Sequence, residues 1–167
     1  MEQEELINEK RTWLFEQIKS ENAAMAGRYR IFLWILCVIY GFFLIRGALQ
    51  LTGVLEPFNF NAQKELSHFI RYGALLLAGL YSMMAANKMK KAETPEHLLV
   101  IYEKNKKIGL CTLIVVLALL VISFYINHGI TRSDIITYLF FAVILIAVVI
   151  VANRNSQIKQ LRELVNS

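Results

Sequence analysis

The stretch Ile108–Ile126, IGLCTLIVVLALLVISFYI, has 19 residues and no charged side chain. As an α-helix it would be about 28 Å long, close to the hydrocarbon core of a bilayer at about 30 Å. Ile31–Leu51, Leu66–Ala86 and Ile135–Ala152 are apolar runs of similar length, the first two interrupted by one arginine each. A helix that is apolar on every face lies inside a large protein or in lipid, and a 19.2 kDa chain is too small to bury four. The sequence therefore predicts an all-α membrane protein with four transmembrane helices in an antiparallel bundle.

The distribution of basic residues predicts the orientation of these spans. The chain carries 18 Lys and Arg residues and a formal net charge of +5. Fourteen of the 18 lie in segments 1–30, 87–107 and 153–167. Two spans separate each of these segments from the next, so all three are expected on the same side of the bilayer. Loops rich in Lys and Arg stay on the cytoplasmic side. We therefore expect a multi-pass protein with both termini in the cytoplasm. No nucleic-acid binding is expected, because no groove-reading or aromatic pattern accompanies the charge.

The expected segment boundaries follow from the ends of the apolar runs and from one helix start signal. Thr94-Pro95-Glu96 combines an N-cap hydroxyl, a proline at the first helical position and an early carboxylate, which is typical of a helix that begins at Pro95. The second and third spans then extend into the cytoplasm as a long hairpin. The segments are a cytoplasmic N-arm 1–30, a bundle 31–152 with spans 31–53, 66–86, 108–127 and 135–152, a cytoplasmic hairpin 87–107 and a cytoplasmic tail 153–167.

The N-arm and the tail are amphipathic, because their apolar residues recur at helical spacing. We expect both to continue their spans into water and to form a cytoplasmic helical layer with the hairpin. The apolar faces either pack on one another or bind a soluble partner. A second interpretation lays the N-arm on the membrane with Trp13 as its anchor, although an acidic first turn opposes a negative leaflet. The expected partner face is Trp13, Leu14, Ile18, Tyr102, Ile158, Leu161 and Leu164.

Two arginines lie within the apolar runs. Fifteen uncharged residues separate Arg46 from the cytoplasmic end of the first span, and fifteen separate Arg71 from that of the second. Both guanidinium groups therefore reach a depth of about 22 Å from the cytoplasmic edge. They either snorkel to the outer headgroups or build an electropositive outer vestibule for an anion, a phosphate headgroup or ions at a pore mouth. The candidate vestibule residues are Arg46, Arg71, His68 and Arg132, with His128 beside them.

Small residues recur every fourth position along the second span, at Ala74, Ala78, Ser82 and Ala86. A stripe of this kind lets two helix backbones approach closely in lipid. The partner helix belongs either to the same chain or to a neighbouring subunit, and the sequence leaves both open.

Several kinds of chemistry lack their residues. No Asp or Glu lies within any of the four runs, which disfavours a transporter coupled through a buried carboxylate. The chain has no metal-ligand spacing, no nucleophile elbow and no Gly-rich phosphate loop. Cys37 and Cys111 lie in different spans and are best interpreted as packing residues. Ser82 and Ser123 are interpreted as helix-packing hydroxyls. We expect no enzyme activity, no metal and no cofactor.

The function expected is a non-enzymatic membrane subunit that self-associates, anchors a cytoplasmic protein, or both, with the lipid bilayer and a homo-oligomer as its other partners. The alternative is a homo-oligomeric pore with that electropositive vestibule. The layout is similar to that of small bacterial membrane proteins, including immunity proteins, antiphage-defence subunits and pore-forming effectors, and favours a bacterial inner membrane. Architecture alone does not carry function. The pore lining would come from Arg46, Arg71, Thr112, Ser123 and Thr137.

Overall fold

The computed structural model describes residues 2–52, 62–127, 132–153 and 156–166, which form helices and no strand. The all-helical prediction is therefore confirmed. The helices α1, α2 and α3 each contain a stretch long and apolar enough to cross a membrane. In α4 the apolar stretch among the described residues is shorter, Asp134–Ile150. The helices are α1 Glu2–Leu51, α2 Ala62–Lys90, α3 Pro95–Ile126, α4 Arg132–Asn153 and α5 Ser156–Asn166.

The N-arm and the first apolar run form one uninterrupted helix, and the tail is helical from Ser156 to Asn166. Helix α1 has 50 residues and is therefore about 75 Å long. The tail helix, α5, contacts α1 and α3. Helix α5 buries Ile158 and Leu161 in a core shared with those two helices, and the expected junction with the fourth span, at residues 154–155, lies outside the described residues. We call the end of the molecule that holds the described residues of segments 1–30, 87–107 and 153–167 the basic end.

Helices α2 and α3 are joined by a tight turn at the basic end. The amides of Lys91 and Ala92 donate to the carbonyls of Lys88 and Met89, each at 3.2 Å, which closes the end of α2. Thr94 then caps α3, because its hydroxyl accepts a hydrogen bond of 3.2 Å from the backbone amide of His97. Helix α3 begins at Pro95, as the sequence predicts. Local capping chemistry is enough to explain this boundary.

Helix α2 lies at the centre of the molecule and contacts α1, α3 and α4. Helices α1 and α2 run in opposite directions. Residues near the start of α2 meet the far part of α1, as Phe43 and Tyr72 do at a ring distance of 5.4 Å. Gly79, farther along α2, meets Leu33 instead, and a Cβ at Gly79 would lie only 3.0 Å from the Leu33 Cδ2 atom. Glycine at this position therefore sets the close approach of α1 and α2.

The interior consists of two apolar cores. The bundle core is formed by α1 to α4 and includes Ala74, Ala78, Val116 and Leu145, all fully buried. The basic-end core is formed by α1, α5 and the α2–α3 hairpin. Its buried members are Leu14, Phe15, Ile18, Met89, Ala92, Leu98, Ile158 and Leu161.

The outer surface of the bundle is strongly apolar. On α1, Trp34, Val38, Phe42 and Ile45 follow one another at helical spacing and are each more than half exposed. Similar residues are exposed on α3 and α4, among them Ile114 and Leu139. Apolar exposure on this scale is not found on soluble monomers. It indicates that lipid covers these faces.

Candidate functional site

Arg71 is buried in the bundle, not extended to its surface. Its side chain is held between α2 and α4, and the residue is only 2% exposed. The guanidinium carbon lies 4.6 Å from the ring centroid of Tyr138 and 5.6 Å from that of Phe141. A guanidinium over an aromatic face is attracted by the ring quadrupole, most strongly where water is excluded. The aromatic rings of α4 therefore replace the headgroup contacts that a snorkelling arginine would make.

His68 lies one turn earlier on α2 and contacts the same guanidinium. The Nη2 atom of Arg71 is 2.6 Å from Nδ1 of His68. Arginine can only donate, so the Nδ1 atom of His68 accepts this hydrogen bond and carries no proton. The Nε atom of Arg71 is buried and has no hydrogen-bond partner among the described residues.

The two other vestibule arginines do not join this pair in the part of the chain that the structure describes. Arg46 is on the exposed surface of α1. One turn earlier, Phe43 stacks on the His68 ring with a centroid distance of 6.4 Å, so α1 presents an aromatic ring to this region. The side chain of Arg132 and the whole of His128 lie outside the described residues. The structure thus brings together Arg71 and His68 and leaves Arg46 on the surface.

A cluster of three buried hydroxyls ties α2, α3 and α4 together beside Arg71. Ser67 Oγ lies 2.6 Å from Tyr138 Oη and 3.0 Å from Ser123 Oγ. Ser123 donates to the Ser67 carbonyl at 2.8 Å, and Tyr138 donates to the Ser123 carbonyl at 2.9 Å. Ser67 can then donate to Tyr138, so every hydroxyl proton has an acceptor. These hydroxyls therefore hold the three helices together through hydrogen bonds.

Sequence reasoning did not single out Ser67 or Tyr138. The sequence did contain a usable signal. Ser123 lies 15 residues from Ile108 and Arg71 lies 15 residues from Ala86, so the two side chains are expected at a similar distance from the cytoplasmic ends of their spans. Polar groups at one depth in adjacent spans are candidates for contact, since lipid offers them no other partner.

The small-residue stripe of α2 is buried within the chain itself. Ala74, Ala78 and Ser82 have no exposed surface, and Ala86 has almost none. Ser82 donates to the carbonyl of Val148 on α4 at 3.2 Å. The neighbours that fill the stripe are the other helices of the same bundle, so this surface is not open to another subunit.

The expected partner face divides into a buried and an exposed part. Leu14, Ile18, Ile158 and Leu161 are buried in the basic-end core. Tyr102 and Leu164 pack against its edge, where burial and the adjacent Glu103 carboxylate raise the pKa of the Tyr102 hydroxyl. Most of this face is therefore occupied by the chain itself.

Trp13 remains on the surface, on the side of α1 that faces away from the basic-end core. It is 61% exposed, and Leu6, two turns earlier, is 66% exposed. With Glu9 and Lys10 these residues line an open depression of about 370 Å³. We call this the Trp13 surface. It combines a large aromatic side chain with one charge of each sign.

No arrangement for metal or redox chemistry is found in residues 2–52, 62–127, 132–153 and 156–166. No group of three or more His, Cys, Asp or Glu side chains in these segments could hold a metal ion. Cys37 and Cys111 are free and exposed, on helices that face lipid. Comparison with known protein families, with curated proteins and with solved structures gives no match to this chain.

Proposed function

We propose that this chain is a four-span membrane subunit, with both termini in the cytoplasm of a bacterial cell, that docks a soluble protein on its Trp13 surface. The fourth span would be α4. Its 22 residues correspond to about 33 Å, enough for a hydrocarbon core of about 30 Å. The basic end would face the cytoplasm, because 14 of the 18 basic residues belong to it.

The exposed indole of Trp13 is the observation that carries the docking proposal. With the first span beginning near Ile31, residue 13 stands about 27 Å beyond the membrane boundary at 1.5 Å per residue. Helix α1 is continuous between them. Trp13 is therefore too far from the lipid to serve as an interfacial anchor. Tryptophan is one of the residue types most enriched among the anchor residues of protein interfaces.

The basic-end core gives this surface a rigid base. Leu14, Phe15 and Ile18 hold the inner side of the N-arm against the hairpin and α5. Arg11 also lies 4.0 Å from Glu96 of α3, and Gln157 of α5 donates to Glu21 at 3.4 Å. A rigid surface loses little conformational entropy when a partner binds. The N-arm is thus suited to hold a protein at a fixed distance from the membrane.

The burial pattern favours docking over the pore alternative. A pore between subunits needs polar side chains on the outside of each subunit. Arg71 and Ser123, two of its expected lining residues, are buried inside the bundle, and the hydroxyl of Thr112 donates to the Ile108 carbonyl of its own helix at 2.9 Å. Self-association through the stripe at Ala78 also lacks an open surface.

The two tryptophans allow a matched test in the cell of origin. A photo-crosslinking amino acid would replace Trp13 in one variant and Trp34, which is 69% exposed on the lipid face, in the other. Position 13 should give an adduct with a protein that is soluble on its own, and position 34 should not. Adducts only at whole multiples of 19.2 kDa would indicate self-association, and no adduct at position 13 would exclude docking there. Ion flux through vesicles holding only this protein would support the pore.

A further inference from the structure

A groove between α2 and α3 opens on the outer face of the bundle near the basic end. Its volume is about 490 Å³, within the range of about 300–1,000 Å³ typical of ligand sites. Leu77 and Met84 of α2 and Ile108 and Val115 of α3 line it and are each more than one-third exposed. The groove therefore opens sideways toward the lipid and not toward water.

The groove matches one leaflet of a bilayer in length and depth. Its lining on α2 runs from Leu77 to Lys88, which is about 16 Å at 1.5 Å per residue. Half of a hydrocarbon core of about 30 Å is about 15 Å. Lys88 lies just beyond Ala86, where the apolar run ends. The groove thus extends from the membrane boundary at the basic end to about the middle of the bilayer.

Positive charge is concentrated at the water-facing end of the groove. The Lys88 side chain lines the groove itself. Lys91 follows Lys88 by three residues, just after the end of α2, and Lys104 precedes Ile108 by one turn on α3; both are exposed. None of the ion pairs found among the described residues involves these three lysines. Basic residues at this level attract anionic lipid headgroups.

Two hydrogen bonds brace the walls of the groove. The Tyr81 hydroxyl donates to the Asn105 carbonyl at 2.6 Å, and the Asn105 amide donates to the Ala85 carbonyl at 3.2 Å. Tyr81 and Asn105 are both buried. A ligand would therefore enter a groove that is already formed, which lowers the entropic cost of binding.

From these observations we infer that the α2–α3 groove binds one anionic phospholipid of the leaflet at the basic end, with an acyl chain along Leu77–Met84 and its phosphate at Lys88. A second copy of this chain fits the groove less well. Two copies inserted the same way carry Lys88 at the same level, so a two-fold contact through this face brings like charges together. This inference rests on the proposed orientation in one respect only, because the orientation says which leaflet of the bilayer supplies the lipid.

The two cysteines allow the site to be probed with the full-length chain reconstituted in vesicles. Cys111 lines the groove, and Cys37 is exposed on α1. A small fluorophore would be attached to Cys111 in a Cys37→Ser variant, and to Cys37 in a Cys111→Ser variant. Phosphatidylcholine vesicles would contain a few per cent of brominated phosphatidylglycerol or, for comparison, brominated phosphatidylcholine, since bromine quenches only nearby fluorophores.

Brominated phosphatidylglycerol should quench the probe on Cys111 several-fold more than brominated phosphatidylcholine, whereas both lipids should quench the probe on Cys37 equally. Lys88→Gln should lower the preference for phosphatidylglycerol about fivefold, the usual contribution of one basic residue at an anionic membrane. Lys106→Gln removes the same charge from a residue that does not line the groove, and should leave the preference unchanged.

Three results would overturn the inference. Equal quenching of the Cys111 probe by the two lipids would show no selective site, and this comparison needs no charge variant. An equal effect of Lys88→Gln and Lys106→Gln would indicate diffuse attraction. If the particle contained two copies and neither lipid quenched the probe on Cys111, the groove would be assigned to self-association. Because the vesicles contain no soluble partner and carry the lipid in both leaflets, none of these results bears on docking at Trp13.

Discussion

The guanidinium of Arg71 lies over the ring of Tyr138, with its carbon 4.6 Å from the ring centroid, and it donates to His68. A buried cation is costly unless other groups compensate for its lost hydration. Here the aromatic faces of α4 and the imidazole of α2 provide that compensation. The contact between Arg71 and Tyr138 therefore fixes α4 against α2, and it depends on the planar shape of the guanidinium.

This contact predicts that Arg71→Lys destabilises the protein although the charge is kept. A lysine ammonium lacks the planar face that stacks on an aromatic ring. The expected loss is about 1–2 kcal/mol, as for a desolvated cation–π contact. Arg46→Lys, on the exposed surface of α1, is the matched control and should change stability by less than about 0.5 kcal/mol. Denaturant titration of each purified variant in detergent measures both values, and equal values would show that the Arg71 contact contributes nothing.

The hydroxyl cluster predicts a second effect on stability. Tyr138→Phe removes the donor to the Ser123 carbonyl and the acceptor for Ser67, so we expect a loss of about 1–2 kcal/mol. Tyr125→Phe is the control, because Tyr125 is 74% exposed. Combining Tyr138→Phe with Ser67→Ala should cost less than the sum of the single changes, since both disrupt one network. Strict additivity would mean that the two residues act independently.

The basic-end core predicts which leucines hold the tail. Leu161 is fully buried against α1 and α3, so Leu161→Ala should cost about 2–5 kcal/mol of local stability and expose α5 to limited proteolysis. Leu6→Ala alters an exposed residue and should leave the rate of tail cleavage unchanged. If both variants were cleaved at the parent rate, α5 would not depend on the basic-end core.

Glu96 predicts a pH dependence for the start of α3. Hydrogen bonds from its own backbone amide and from Thr94, together with nearby Arg11, hold the pKa of the Glu96 carboxyl below its usual value of 4.5. A lowered pKa in the folded state means that the carboxylate stabilises the fold above pH 4.5 and loses this effect as the pH falls through the lowered pKa. The effect is small, because the side chain is exposed.

Glu96→Gln tests this sign. The parent should be more stable than the variant at pH 7, and the difference should shrink as the pH is lowered below 4.5. Thermal unfolding followed by circular dichroism at several pH values gives the comparison. A difference that stays constant down to the acid limit would show that the charge of Glu96 does not stabilise the helix start.

The sequence by itself determined the features that depend on composition or on local chemistry. The all-helical class followed from runs such as Ile108–Ile126, because lipid requires backbone hydrogen bonds to be satisfied within the helix. The start of α3 at Pro95 followed from its cap. A common depth of Arg46 and Arg71 in the membrane stays a prediction from counting residues along each helix.

Only the tertiary structure decided which way each side chain faces. A helix that is apolar on every face has no periodic signal to orient it about its own axis, so the sequence could not distinguish Arg71, which is buried, from Arg46, which is exposed. The same holds for the basic end, where an apolar stripe such as Ile158 and Leu161 serves a partner or the chain itself equally well. Contacts between α1, α3 and α5 settled that choice, because burial depends on which helices are neighbours.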